Sequence, residues 1–110
     1  MQHQVLENGR WAELSFPQQM ANIGSETSRI YRALEAGKEA RAESAFARFQ
    51  ELVDLTIKYG RADATPLLRS AMLEELCRFR EFYCQAFIDR NLSELAAFNR
   101  YLDRFALIRN

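Results

Sequence analysis

The chain has one histidine, His3, two cysteines, Cys77 and Cys84, and only two lysines, Lys38 and Lys58, among fifteen basic residues. A single histidine leaves no His-containing catalytic constellation and no Cys/His cluster with metal-ligand spacing. No metal and no cofactor are therefore expected. The two cysteines fall two turns apart on one predicted helix, about 10 Å along its axis. A disulfide needs Cα atoms within about 7 Å, so they cannot bridge each other there. Unpaired thiols and the lack of a basic-then-apolar leader point to the reducing cytoplasm. No apolar run approaches the ~20 residues that span a bilayer, and no membrane segment is expected. Neither charge sign is in surplus: fifteen basic residues face fifteen acidic ones. Strong non-specific nucleic-acid binding needs excess Lys and Arg, so a nucleic-acid partner is not expected. The scarcity of lysine is the pattern expected of a GC-rich coding sequence, and Arg also suits planar, partly desolvated pairing. Period-two alternation is missing except briefly around Val5–Trp11, so strands are not expected.

What is present is helical. A 110-residue chain with 48% hydrophobic residues can bury a core as one domain. Residues 1–14 read as an irregular arm, with Asn8-Gly9 as a turn and Val5, Leu6, Trp11 and Leu14 as anchors. Residues 15–110 read as a helical bundle domain. Ser15, Pro17 and Gln18 carry the start signals of a first helix, with Ser15 and Gln18 in capping-box spacing. Phe16, Met20, Ile23, Thr27, Ile30 and Leu34 then repeat at steps of four and three, a helix seam. Gly37 ends it as a left-handed residue just past the helix. A second helix from Lys38 to Tyr59 carries Ala42, Ala45, Phe46, Phe49, Leu52, Val53, Thr56 and Ile57 as its stripe, and Gly60 closes it. The short connection makes the two an antiparallel hairpin. Thr65-Pro66 starts a third helix that runs to about Arg90. Asn91, with Glu94 three residues on, starts a fourth. The expected fold is all-α, a four-helix up-down bundle preceded by an irregular N-terminal arm.

Gly24 and Glu26 flank the seam of the first helix on opposite edges. Gly24 costs about 1 kcal/mol of helix propensity against Ala, which signals a close approach of another segment. Glu26 stands at the rim of the core, where a cation can meet it. The third helix is apolar on nearly two sides. Leu68, Met72, Leu76, Phe79, Tyr83, Ala86 and Phe87 form one arc, and Leu73, Cys77, Cys84 and Ile88 form a second. Arg80 projects between them, and a desolvated guanidinium needs a carboxylate. Glu26 is the first candidate partner and Asp54 the second. Glu26, Asp54, Arg78, Arg80 and Glu81 thus make up a candidate polar cluster. The second arc exceeds what a one-sided bundle helix needs. Either the N-terminal arm covers it, or it is an interface. Leu73, Cys77, Cys84, Ile88 and Trp11 are the candidate interface residues, and a homodimer is the expected assembly, since two-fold pairs are the commonest.

Three stretches carry a resemblance: Asn22-Ile23-Gly24-Ser25-Glu26, Asp54-Leu55-Thr56-Ile57 and Arg78-x-Arg80-Glu81. Over most of residues 11–110 the chain resembles a family of small prokaryotic all-helical proteins for which no activity is established. The resemblance implies the helical fold and the same polar positions, and supplies no chemistry. The function expected is that of a non-enzymatic, self-associating interaction protein. One alternative is a degenerate, RNA-associated bundle similar to the HEPN proteins of defence and toxin–antitoxin systems. Their nucleases resemble one another in an Arg followed a few residues later by His. Here Arg90-Asn91 is followed by Leu92-Ser93-Glu94-Leu95, without a His. Arg100, Arg104 and Arg109 would be the phosphate contacts of such a relative. The second alternative is a small-molecule enzyme using the Glu/Arg cluster, with two helical carboxylates split in pKa.

Overall fold

The computed structural model describes residues 10–59 and 65–107. Five helices occur among the described residues, and no strand. They are α1 (residues 10–13), α2 (Phe16–Glu35), α3 (Glu39–Tyr59), α4 (Pro66–Ile88) and α5 (Leu92–Ala106). The expectations for Val5, Leu6, Asn8-Gly9, Gly60 and Arg109 lie outside the described residues.

The ends of the helices follow from their flanking residues. Ser15 caps α2: the Gln18 amide donates to Ser15 Oγ at 3.2 Å and the Ser15 amide donates to Gln18 Oε1 at 2.9 Å. This closes both halves of a capping box. Thr65 and Asn91 cap α4 and α5 by accepting from the amides of Leu68 and Glu94. Gly37 stands at φ +71° after α2. Its amide donates to the Leu34 carbonyl, and the Lys38 amide donates to that of Ala33, a Schellman closure. The same pair of bonds closes α4, from Arg90 to Phe87 and from Asn91 to Ala86. There the left-handed residue is Arg90, at φ +53°.

α2 is the centre of the fold, packing against α3 on one side and α5 on the other, whereas α4 touches both neighbours more thinly. The expected four-helix up-down bundle is not confirmed: among the described residues the all-α chain has five helices, the short α1 preceding the four long ones. Gly24 explains part of how α2 packs. A Cβ at that position would come within 3.1 Å of Leu102 Cβ on α5, so the missing side chain brings α2 and α5 together. α4 is held instead by large rings. Phe79 and Tyr83 meet Phe49 of α3 and Phe98 of α5, with ring centres 4.5–6.1 Å apart. Phe87 stacks on Phe46 at 4.1 Å.

The arm differs from the irregular segment expected. Its end is the helical turn α1, and Trp11 is 3% exposed. Trp11 Nε1 donates to Thr56 Oγ1 at 3.0 Å, and Gln19 Nε2 donates to the Trp11 carbonyl at 2.8 Å. A buried indole needs such a polar partner. Trp11 therefore belongs to the core that α2 and α3 share. Buried there in the single chain, it does not share a surface with Leu73, Cys77, Cys84 and Ile88. Among the described residues no helix is long and apolar enough to cross a membrane.

Candidate functional site

Of the five polar residues expected to cluster, the fold brings Asp54, Arg80, Glu81 and Arg78 onto adjoining recesses along α4 and sets Glu26 apart. Arg80 Nη1 donates to Asp54 Oδ1, which ties α4 to α3. The Arg80 side chain is 29% exposed and that of Asp54 69%, so this is a surface clasp contributing at most about 1 kcal/mol. Glu81 borders the same shallow recess, with Gln50 and Cys84. Arg78 shares a further recess with Glu81 and Cys77 and also borders the groove beside α5. Glu26 is elsewhere. It is 7% exposed and meets Arg29 Nη1 at 2.6 Å and Arg48 Nε at 3.7 Å. The pairing of Glu26 with Arg80 is therefore corrected: α3 interposes Arg48, and Asp54 takes Arg80. Of the three carboxylates, Asp54 and Glu81 line one recess and Glu26 lines another.

The second arc of α4 is only partly covered. Leu73, Cys77 and Cys84 are half-buried on the flank towards α3, and Ile88 is exposed at the helix end. Both cysteines are free thiols, and burial pushes that of Cys84 up. The more open apolar surface is on the opposite flank. Glu75, Arg78, Phe79 and Phe82 of α4 face Glu94, Ala97, Phe98 and Tyr101 of α5 across a groove of about 470 Å³. Each set follows the i, i+3, i+4, i+7 spacing of one helix face, the geometry of a helix-receiving groove. Phe82 is 59% exposed and Tyr101 39%.

A second groove lies between α2 and α3, and its cavity is about 730 Å³. Arg29, Arg32, Lys38, Arg41 and Arg48 line it, with Glu26 as the one acidic residue. The hairpin explains the gathering. Positions equally far from Gly37 stand level along the hairpin, Lys38 with Ala36, Arg41 with Ala33, Arg29 with Ala45 and Arg48 with Glu26, and the last two are 3.7 Å apart. A long cationic stem opposite an alanine leaves an open trough. No signal local to the chain marks these cations as a group. The signal that finds them is this mirror relation about Gly37.

Beside the trough, at the same end of α3 as Lys38 and Arg41, Arg90 engages the neighbouring acidic residues. Its Nη2 lies 2.7 Å from Glu39 Oε1 and 3.2 Å from Glu43 Oε2, and its guanidinium sits 4.3 Å from the centre of the Phe87 ring. The hydrogen bond from Arg90, more than its charge, holds the Glu39 carboxyl below the ordinary range. The acidic residues at the start of α3 are thereby engaged with the α4–α5 turn.

Tyr83 is fully buried, and its hydroxyl has no hydrogen-bond partner among the described residues. Burial first, and Cys84 second, push its pKa far above the usual value. An unfolded tyrosine ionises near pH 10. Above that pH the unfolded chain sheds a proton that the folded chain keeps, so stability is intact below pH 10 and falls as pH rises. The slope approaches about 1.4 kcal/mol per pH unit. In urea unfolding at pH 9–11, Tyr83→Phe is expected to flatten the alkaline decline. A profile parallel to that of the parent chain contradicts this assignment.

No group of three or more potential metal ligands occurs among the described residues. No protein-family model matches the chain, and no curated protein and no solved structure is similar to it.

Proposed function

We propose that the chain is a non-enzymatic interaction protein of the cytoplasm that forms a homodimer through the groove between α4 and α5. The observation that carries this reading is Phe82, a large ring 59% exposed beside the half-open Tyr101, over a floor of Phe79 and Phe98. Contiguous exposed aromatic surface rimmed by charge marks an interaction site. The charges at the rim favour a second copy as the occupant. A two-fold axis between Leu76 and Cys77, relating antiparallel α4 helices, sets Arg78 of one copy against Glu75 of the other. The same axis sets Phe82 opposite the small residue Ala71. Each contact is made twice, as an isologous interface requires.

The arrangement is tested by reversing the pair. Arg78→Glu or Glu75→Arg alone places like charges opposite each other twice, and each is expected to raise the dimer dissociation constant about tenfold. The double reversal restores opposite signs and is expected to return the constant to near its starting value. Light scattering behind a sizing column reads all three. A double variant as weak as the singles removes this two-fold register.

A further inference from the structure

We propose that the trough between α2 and α3 is a binding site for a compact oligophosphate, held by Arg29, Arg32, Lys38, Arg41 and Arg48. This inference is independent of the α4/α5 interface, because different helices build the site. Five cations against one carboxylate leave four positive charges within one recess, in a chain whose overall formal charge is zero. Such focusing within a concave wall raises the local concentration of anions. Glu26 does not neutralise the site. It is committed to Arg29 and Arg48 beneath the rim, and so holds two guanidinium groups in fixed orientation. Arg32, Lys38 and Arg41 have no carboxylate partner among the described residues.

The shape selects among anions. The lining spans Glu26 to Ala36 on α2, about 15 Å at helical rise, and its volume is that of a small-ligand site. The floor is Ala33, Ala36, Ser44 and Ala45, which lets phosphate oxygens approach both helices. No aromatic ring lines it, so it offers no stacking platform for a base, the usual means of holding single-stranded nucleic acid. Four of the five cations are arginine, whose planar fork matches phosphate oxygens in pairs. Adjacent phosphates on one short chain place several negative charges inside a 15 Å trough, whereas a nucleic-acid backbone spreads them beyond it.

The test is calorimetric titration of the full chain with sodium tripolyphosphate in low salt, with sodium sulfate at matched ionic strength as the comparison. Saturable one-to-one binding of tripolyphosphate and none of sulfate is expected. Arg32→Ser combined with Arg41→Ser should weaken it at least tenfold. Arg100→Ser combined with Arg104→Ser, on the exposed face of α5, should change it less than twofold. Both altered groove residues are exposed, so the fold is expected to persist, which far-UV circular dichroism verifies. If that double variant does not fold, the single Arg41→Glu reads the same loss. Absence of saturable binding overturns the proposal, as does an equal loss in the α5 variant. A single-stranded oligouridine that binds more tightly than tripolyphosphate, through Arg32 and Arg41, assigns the trough to a nucleic-acid backbone instead and also overturns it.

Discussion

Trp11→Ala is expected to cost about 4 kcal/mol of folding stability, the range for removing a large aromatic side chain from a core. Trp11 is 3% exposed although it comes from the turn α1, ahead of the long helices. Its indole fills the space between α2 and α3, and its Nε1 supplies a proton to Thr56 Oγ1. Thr56 is itself 1% exposed and donates onward to the Leu52 carbonyl at 2.8 Å. Truncation therefore opens a cavity and removes one partner of a buried hydroxyl. Trp11→Phe keeps most of the volume and loses the hydrogen bond, so about 1–2 kcal/mol is expected. Urea unfolding should show the midpoint falling in that order with an unchanged slope. A Trp11→Ala midpoint within error of the parent chain means that α1 is not part of the folded core.

Phe82→Glu is expected to act in the opposite way: little on the fold of one copy, much on association. The ring is more than half exposed in the single chain, so substitution should change unfolding free energy by less than about 0.5 kcal/mol. In the two-fold interface Phe82 occurs twice. An aromatic anchor is worth about 2 kcal/mol or more, so two anchors lost give roughly 4 kcal/mol, a thousandfold rise in the dimer dissociation constant. Sedimentation velocity measures the second effect and denaturation of dilute protein the first. Loss of both together makes Phe82 a core residue and removes the interface.

The helices were legible because their ends carry local chemistry. Ser15 with Gln18, Gly37, Thr65-Pro66 and Asn91 each act within three or four residues, and all stand where their side chains or backbones predict. Gly24 was legible for a related reason: a helix tolerates a glycine there only if something fills the space, and Leu102 does. Features that depend on two distant segments were not legible. Arg90 occupies a left-handed position where glycine or asparagine is favoured. Phe87, three residues earlier, receives its guanidinium on ring and carbonyl, but its carboxylate partners Glu39 and Glu43 are on another helix. Trp11 read as an interface residue because its hydrogen-bond partner, Thr56, is remote. Glu26 stands apart from the other four polar residues for a geometric reason. Glu26 and Arg80 each need a counter-charge, but α3 meets both α2 and α4, and it supplies Arg48 to the first and Asp54 to the second. The cations of the trough were visible one at a time. Their convergence needs the hairpin at Gly37 to fold position upon position.

The most direct measurement is the mass of the unmodified chain by sedimentation equilibrium across a wide concentration range. Self-association through α4 and α5 predicts a concentration-dependent rise to twice the mass of one chain, with no larger species, because a two-fold interface closes on itself. A single-chain mass at every concentration contradicts it, and a series of species growing beyond the dimer contradicts the two-fold geometry.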